Sequence, residues 1–170
     1  MIPVTFGTVL TDLSRHSMFR SVVLFLIASV ALASGAGAST PAPESIRPFT
    51  TDGCSVFPDR ALIGKEDWCD CCVAHDLAYW RGGTAEERES ADASLRSCVA
   101  GKTGNKALAD MMYAGVRSGG GPHFYTSYRW GYGWAYGRGY QALSPSEQAS
   151  ADEQEAIYRA ANPTLSCPAR

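Results

Sequence analysis

The spacing of apolar and polar residues predicts two helices joined by a short turn in the middle of the chain. From about Glu66 to Trp80 the sequence contains no Gly or Pro, its apolar residues recur at helical spacing, and Gly82-Gly83 ends the helix. Thr84-Ala85-Glu86-Glu87 has the residue types of a capping box. A second helix is therefore predicted from about Ala85 to Ala100, antiparallel to the first because the turn is short.

The same pattern predicts two further helices toward the C-terminus. The third spans about Lys106 to Arg117, and a fourth starts at Ser144-Pro145 and runs to about Ala161, ahead of Pro163. No internal repeat and no strand pair is evident, so the predicted fold class is mostly α with long loops. The apolar residues along one side of the third helix are Leu108, Met111, Met112 and Val116.

An aromatic and glycine-rich stretch, residues 124–140, separates the third and fourth predicted helices. We favour the interpretation that its rings pack onto the helices as core. The alternative is that Tyr and Trp side chains lie at a lipid–water boundary, with the glycines making the segment adaptable. Stacking of single-stranded nucleic acid is weaker, because only Arg129 and Arg138 lie among the rings. The aromatic residues are Phe124, Tyr125, Tyr128, Trp130, Tyr132, Trp134, Tyr136 and Tyr140.

The N-terminal residues have the three-part pattern of a secretory signal peptide. Basic residues precede an uncharged, mainly apolar run over residues 22–33, and Ala36-Gly37-Ala38 has the small residues of a cleavage site. The apolar run is shorter than the about 20 residues that span a bilayer. We therefore predict a signal peptide over residues 1–38, with an uncleaved N-terminal anchor as the alternative and Met18 as a second candidate start.

The predicted export sets the expected organisation of the rest of the chain. Residues 39–51 contain three prolines and few large apolar residues, which is typical of a flexible lead-in. Residues 52–170 would form the folded domain, with the aromatic stretch in its C-terminal extension. The protein would be secreted or periplasmic, and we expect a monomer.

Charge and cysteine content narrow the function classes. The 170 residues carry a formal net charge of -2, without the basic excess of nucleic-acid-binding proteins, so we expect no nucleic-acid partner. Six cysteines in an exported domain indicate disulfides, whose pairing the count leaves open. Zinc binding by Cys69, Cys71, Cys72 and His75 is a weaker alternative because structural zinc sites space their first cysteines more widely.

The candidate chemistry lies where the two central helices face each other. In an antiparallel pair, facing positions have a nearly constant sum of residue numbers, which allows a Cys71–Cys98 bridge and a His75–Asp92 hydrogen bond at one interface. A histidine whose second nitrogen is held by a buried carboxylate is fixed in tautomer and orientation, so it can act as a general base on water. The alternative is that His75 is a core histidine without a catalytic role.

Asp76 lies about 100° around the helix from His75 and would face another wall of the same cleft. A carboxylate there can hold a hard cation such as Ca²⁺, with main-chain carbonyls of a loop completing the shell. The loop over residues 53–59 can supply them if Cys54 is tied to the first helix. A base beside a cation indicates hydrolysis of an ester by water, with the metal stabilising the developing oxyanion.

Together these residues resemble a known family. Cys71-Cys72-x-x-His75-Asp76-x-x-Tyr79, with Asp92 and Cys98 downstream, is similar to the secreted phospholipase A2 superfamily. Residues 52–59, Asp-Gly-Cys-Ser-x-x-Pro-Asp, resemble the calcium loop of its bacterial and fungal branch. The resemblance covers about residues 52–98.

The resemblance implies a calcium-dependent enzyme that hydrolyses the sn-2 acyl ester of glycerophospholipids. His75 would activate the water, Asp92 would orient His75, and Tyr79 would hydrogen-bond Asp92. The implied partner is a phospholipid membrane surface, which the protein would bind peripherally.

The resemblance also implies a phospholipase A2-like arrangement of the calcium loop and disulfides around the helix pair. Asp76 would bind Ca²⁺ through its carboxylate, together with main-chain carbonyls near Gly53, Ser55 and Phe57. Because the loop has no glycine after its cysteine, the Asp59 carboxylate is an alternative ligand. The implied disulfides are Cys54–Cys72 and Cys71–Cys98, which leaves Cys69 and Cys167 to bridge the C-terminus to the first helix.

Two other functions remain open. The first is a non-catalytic lipid- or partner-binding module on the same fold, against which the intact His75, Asp76 and Asp92 count. The second is a small structural envelope protein whose cysteines only stabilise it. That protein would show no metal effect and no cleft beside His75.

Overall fold

The computed structural model describes residues 45–62, 66–165 and 167, and these residues form a mostly helical structure. Among them, the only β-pairing is an isolated bridge between Arg60 and Asp67. The predicted mostly α class is therefore confirmed, whereas the predicted signal peptide lies outside the described residues. The helices are α1 (Cys69–Arg81), α2 (Ala85–Thr103), α3 (Lys106–Gly119) and α4 (Pro145–Ala161).

The helix pair α1–α2 forms where the sequence pattern predicts it. The Glu87 N–H donates to Thr84 Oγ1 at 3.2 Å and the Thr84 N–H donates to a Glu87 carboxylate oxygen at 2.7 Å, which completes the capping box. Helix α1 begins at Cys69, later than predicted, because the Asp67 carboxylate accepts the Cys69 N–H and Asp67 itself pairs with Arg60. Helix α2 continues past Ala100 to Thr103.

Helix α1 is buried on most of its sides because it contributes to two hydrophobic clusters. Val73 and Trp80 belong to one cluster, which includes residues before α1 and in the aromatic stretch. Cys72 belongs to the other, together with Leu95 of α2 and Met112 of α3. Packing on two sides restricts both the backbone and the rotation of α1, so the remaining side chains of this helix have a fixed direction.

Three disulfides attach α1 to the rest of the protein. Their pairs are Cys54–Cys72, Cys69–Cys167 and Cys71–Cys98, which are the pairs that the resemblance and elimination implied. All six cysteines are used, so the zinc-site interpretation of Cys69, Cys71 and Cys72 is wrong. The disulfides fix both the loop before α1 and helix α2 onto the same helix.

The aromatic stretch caps the C-terminal end of α1. The last carbonyls of a helix lack partners within the helix. Here the carbonyls of Tyr79 and Trp80 accept the N–H groups of Gly131 and Gly133 at 2.6 and 3.0 Å, and the next carbonyl, of Arg81, accepts the Trp134 indole N–H at 2.7 Å. The stretch therefore completes the hydrogen bonding of the helix that carries His75.

The two tryptophans of this stretch are core residues, as we favoured. Trp130 and Trp134 are 2% and 0% exposed. Several tyrosines of the stretch remain at the surface, for example Tyr125 at 88% and Tyr136 at 52% exposed. The segment is thus divided between packing, through Trp, and a tyrosine-rich outer surface.

The prediction of a flexible lead-in does not hold for residues 45–51. Ile46 and Phe49 are buried in the first cluster, and the Phe49 ring packs edge-on against Trp80. The Arg47 N–H donates to the Gly133 carbonyl at 2.9 Å, and the Arg47 carbonyl accepts the indole N–H of Trp80 at 2.8 Å. The segment has no regular secondary structure, but side-chain packing and long-range hydrogen bonds hold it in place.

Met111 of α3 is 55% exposed rather than packed with its predicted neighbours, because the buried side of the helix passes through Ala109 and Met112. Within the part of the chain that the structure describes, no helix has the length and apolar character needed to cross a membrane.

Candidate active site

A cleft of about 360 Å³ lies between α1, α3 and the loop before α1, and His75 and Asp76 are both on its wall. A larger cavity, about 870 Å³, lies between residues 45–50 and 125–136, but no His, Asp, Glu or Cys lines it. The candidate site is therefore the smaller cleft. Its apolar lining includes Phe57, Leu95, Met112, Val116 and Tyr128.

The three predicted catalytic residues meet at one carboxylate oxygen. Nε2 of His75 lies 2.9 Å from Oδ1 of Asp92, and the Tyr79 hydroxyl donates to the same oxygen at 2.7 Å. Helix α1 supplies His75 and Tyr79 from neighbouring turns, and α2 supplies Asp92 across the antiparallel interface. The facing-position relation therefore described this contact correctly.

The second carboxylate oxygen of Asp92 contacts a positively charged side chain that the sequence pattern does not predict. Arg117, in the last turn of α3, donates to Oδ2 at 2.8 Å, and Nε of Arg88 lies 3.8 Å from the same atom. Burial alone would raise the pKa of Asp92, but hydrogen bonds from His75, Arg117 and Tyr79 outweigh it and hold that pKa below its ordinary value. The carboxylate is accordingly ionised at neutral pH.

An ionised Asp92 determines the tautomer of His75. The carboxylate can only accept a hydrogen bond, so in the neutral imidazole of His75 the proton is on Nε2 and the free lone pair is on Nδ1. Among the described residues, Nδ1 has no hydrogen-bond partner, and His75 lines the cleft. This is the arrangement that a general base requires.

Arg88 joins this network to the end of α3. Its guanidinium is buried and donates to the Tyr79 hydroxyl at 3.0 Å and to the carbonyls of Val116 and Arg117 at 2.8 and 2.9 Å. Arg88 lies one helical turn before Asp92, a spacing that is a detectable signal in the sequence. Arg117 gives no such signal, because its contact joins residues 25 positions apart on different helices.

Asp76 is buried in the cleft wall, where its carboxylate accepts a hydrogen bond from the Thr51 hydroxyl at 2.6 Å. Burial, with a smaller contribution from the charges of Asp52 and Asp59, raises the pKa of Asp76 from 3.8 to about 7, although the Thr51 hydrogen bond lowers it. Among the described residues Asp76 has no ion-pair partner. A cation at this carboxylate would offset the cost of its burial.

The predicted loop ligands lie on the wall of the same cleft. Gly53, Ser55 and Phe57 all line it with Asp76. The loop turns sharply, because Gly53 and Ser55 have positive φ angles of 80° and 42° and the Phe57 N–H donates to the Cys54 carbonyl at 2.7 Å. The Cys54–Cys72 disulfide ties this turn to α1.

The Asp59 side chain stabilises the turn of the loop over residues 53–59. Its Oδ1 accepts the Cys54 N–H at 2.8 Å, so this oxygen already serves the backbone of the turn. A Cβ at Gly53 would lie 2.5 Å from the same oxygen and 2.6 Å from Sγ of Cys167, so only glycine fits there. Asp59 thus acts as a loop-forming residue, whichever groups bind a cation.

The donor set fits a hard cation only if main-chain oxygens take part. Within residues 45–62, 66–165 and 167, no cluster of three or more His, Cys, Asp or Glu side chains could hold a metal ion. A buried carboxylate without a cationic partner, beside a sharply turned loop, has the oxygen chemistry that Ca²⁺ prefers. Asp76 with carbonyls of the loop is therefore the set that could bind it.

Comparison with known proteins does not identify a relative of this protein. No protein-family model matches the chain, and neither a curated protein nor a solved structure matches it significantly.

Proposed function

We propose that the protein is a Ca²⁺-dependent hydrolase of the phospholipase A2 type, which cleaves the sn-2 acyl ester of glycerophospholipids. The observation that carries this proposal is the His75–Asp92 pair, 2.9 Å apart, on the wall of a largely apolar cleft. The family resemblance of residues 52–98 supplies the reaction class, and the hydrogen bonding of His75 supplies a base for it.

The proposed reaction begins at Nδ1 of His75. This nitrogen takes a proton from a water molecule, and the remaining hydroxide oxygen attacks the carbonyl carbon of the ester. The tetrahedral intermediate collapses as the bond between that carbon and the glycerol oxygen breaks. The imidazolium proton passes to the glycerol oxygen, so the products are a fatty acid and a lysophospholipid, and His75 returns to its neutral form.

Asp92 stabilises the imidazolium that forms during this reaction. The Arg117 guanidinium and the Tyr79 hydroxyl donate hydrogen bonds of 2.8 and 2.7 Å to the Asp92 carboxylate, and these bonds hold the carboxylate in one orientation. When bound by Asp76 and the loop carbonyls of residues 53–57, Ca²⁺ would supply positive charge for the oxyanion and the phosphate.

The lipid substrate is supported by the apolar character of the cleft and its rim. Leu95, Met112 and Val116 line the cleft where an acyl chain would lie. Val56, which is 80% exposed, and Tyr128, at 41%, are lining residues that also face solvent. An exposed apolar rim around an apolar cleft suits peripheral binding to a phospholipid surface.

Export is the expected setting for this activity. Three disulfides persist in the oxidising compartments outside the cytoplasm. A secreted or periplasmic location, through the predicted signal peptide, is part of the proposal.

The test is fatty-acid release by a His75→Ala variant. Loss of a general base lowers rates by about 10²- to 10⁴-fold, and we expect a loss of that size with the folded structure retained by circular dichroism. His123→Ala is the matched control, because His123 is exposed in a loop outside the cleft. Unchanged release by His75→Ala would remove the proposed base.

A further inference from the structure

Thr51 connects the two parts of the candidate cation site through a single hydroxyl group. Its Oγ1 accepts the N–H of Gly53 at 3.0 Å and donates to Oδ2 of Asp76 at 2.6 Å. Gly53 belongs to the loop and Asp76 to α1, so this hydroxyl joins the loop backbone to the carboxylate. The Cys54–Cys72 disulfide is a separate, covalent link between the loop and α1.

The segment before Thr51 holds this hydroxyl in place. The Phe49 ring lies edge-on to both Trp80 and Tyr158, with ring centroids 5.7 and 4.5 Å apart. The Tyr132 hydroxyl donates to the carbonyl of Thr50 at 2.7 Å. Contacts on α1, α4 and the aromatic stretch therefore fix the backbone immediately before Thr51.

The hydroxyl has the chemistry of a partner that orients a metal ligand. It uses its one proton on Oδ2 of Asp76, which leaves Oδ1 and the remaining lone pairs of the carboxylate for a cation. Groups that hydrogen-bond a metal-ligating carboxylate restrict its rotation, and losing them typically lowers metal affinity by about 10- to 100-fold. A loop coupled to the carboxylate would also present its carbonyls in a constant position.

We propose that Thr51 is a positioning residue for divalent-cation binding: it orients the Asp76 carboxylate and couples it to the loop at Gly53. This inference rests on the proposed function, since it assigns Thr51 a role at the same cation site. Thr51 lies in residues 39–51, the segment that the sequence pattern predicts to be a flexible lead-in.

The experiment compares Ca²⁺ binding by wild type, Thr51→Val and Thr51→Ser, using isothermal titration calorimetry on the oxidised protein. Thr51→Val removes the hydroxyl at nearly constant volume, so we expect the dissociation constant for Ca²⁺ to rise about 10- to 100-fold. Thr51→Ser keeps the hydroxyl, so its dissociation constant should stay near that of wild type. Rescue by Ser separates positioning by the hydroxyl from general packing at residue 51.

Thr126→Val is the matched control. The Thr126 hydroxyl is buried and has no hydrogen-bond partner among the described residues, so its loss should leave Ca²⁺ affinity unchanged. Metal-free thermal unfolding of each variant shows whether the fold is retained. If Thr51→Val does not fold, Thr51→Ala, which lacks the hydroxyl and adds no atoms, provides the same comparison.

The outcomes distinguish the two proposals. Ca²⁺ binding by wild type with equal affinity in folded Thr51→Val or Thr51→Ala would overturn the role of Thr51 and leave the cation site standing. Weakened binding in Thr51→Ser as severe as in Thr51→Val would also overturn it. No Ca²⁺ binding by folded wild type would overturn the cation site and, with it, the role of Thr51.

Discussion

Among the single residues, Asp92 connects the other polar side chains of the candidate active site. It is 0% exposed, yet His75, Tyr79 and Arg117 all donate hydrogen bonds to it. Burying a carboxylate is costly unless its oxygens are fully paired, and these donors provide the pairing. The hydrogen bonds that offset the cost of burying the Asp92 charge also fix the position of this carboxylate relative to His75.

Asp92→Asn tests this double role. The amide cannot stabilise a protonated His75 and leaves Arg117 without its counter-charge. We expect fatty-acid release to fall by about 10²-fold or more, and the free energy of unfolding to fall by about 3–5 kcal/mol. Release assays and chemical denaturation measure the two effects.

Asp110→Asn is the control for this substitution. Asp110 pairs with Arg96 at the surface, where both side chains are about half exposed, so its loss should cost at most about 1 kcal/mol. Wild-type release by Asp92→Asn would contradict the assigned role of Asp92.

Among the secondary-structure elements, local sequence signals predicted the helices but not all the groups that pair with the free backbone groups at their ends. The predicted cap at Thr84 and the cap at Ser144, where the fourth helix was predicted to start, are both formed by side chains within a few residues. The C-terminal end of α1 is different, because its carbonyls are paired by Gly131 and Gly133, some 50 residues later in the chain. Helix periodicity depends on neighbouring residues and therefore cannot predict hydrogen-bond partners so far along the chain.

The glycines of the aromatic stretch allow this close approach, and Gly133→Ala tests it. A Cβ at residue 133 would lie 2.6 Å from the Trp80 carbonyl and 2.7 Å from its ring, so the stretch would have to move away from α1. We expect a loss of about 1–3 kcal/mol in unfolding free energy, as for other overpacked sites. Differential scanning calorimetry would measure the accompanying fall in melting temperature.

Gly101→Ala provides the contrast. Gly101 lies in α2 with nothing within 4 Å of the added Cβ, so Ala should stabilise the helix by up to about 1 kcal/mol. Equal effects of the two substitutions would contradict the capping role of the stretch.

Glu147 at the start of α4 gives a pH-dependent prediction. Two hydrogen bonds from Arg138 lower the pKa of Glu147 from 4.5 to about 2. Because the pKa is lower in the folded than in the unfolded chain, this carboxylate stabilises the fold above pH 4.5 and loses that effect as the pH falls toward 2. Glu147→Gln should therefore destabilise the protein by about 1.5–3 kcal/mol at neutral pH, and the difference should vanish near pH 2.

Thermal unfolding at several pH values measures this difference. Glu153→Gln, on the exposed side of the same helix, is the control and should change the stability little at any pH. A constant difference between wild type and Glu147→Gln across the pH range would show that Glu147 acts by packing rather than by charge.

At the scale of the whole molecule, the disulfides and the two hydrophobic clusters bring distant parts of the sequence to the wall of one cleft. His75, Asp76 and Asp92 could be predicted, because antiparallel helices and helical rotation place them from local patterns. Thr51 and Arg117 could not, because their contacts depend on how a segment without regular structure and a separate helix pack onto α1.

Fatty-acid release from phosphatidylcholine vesicles by the oxidised protein, first with Ca²⁺ and then with excess chelator, decides whether the protein is a calcium-dependent phospholipid hydrolase. We expect release with Ca²⁺, its loss on chelation and its return when Ca²⁺ is restored. Release that survives chelation would keep His75 as a base and remove the cation from the reaction. The absence of release from any phospholipid by demonstrably folded protein would contradict the proposed hydrolase and favour a lipid- or partner-binding module on the same fold.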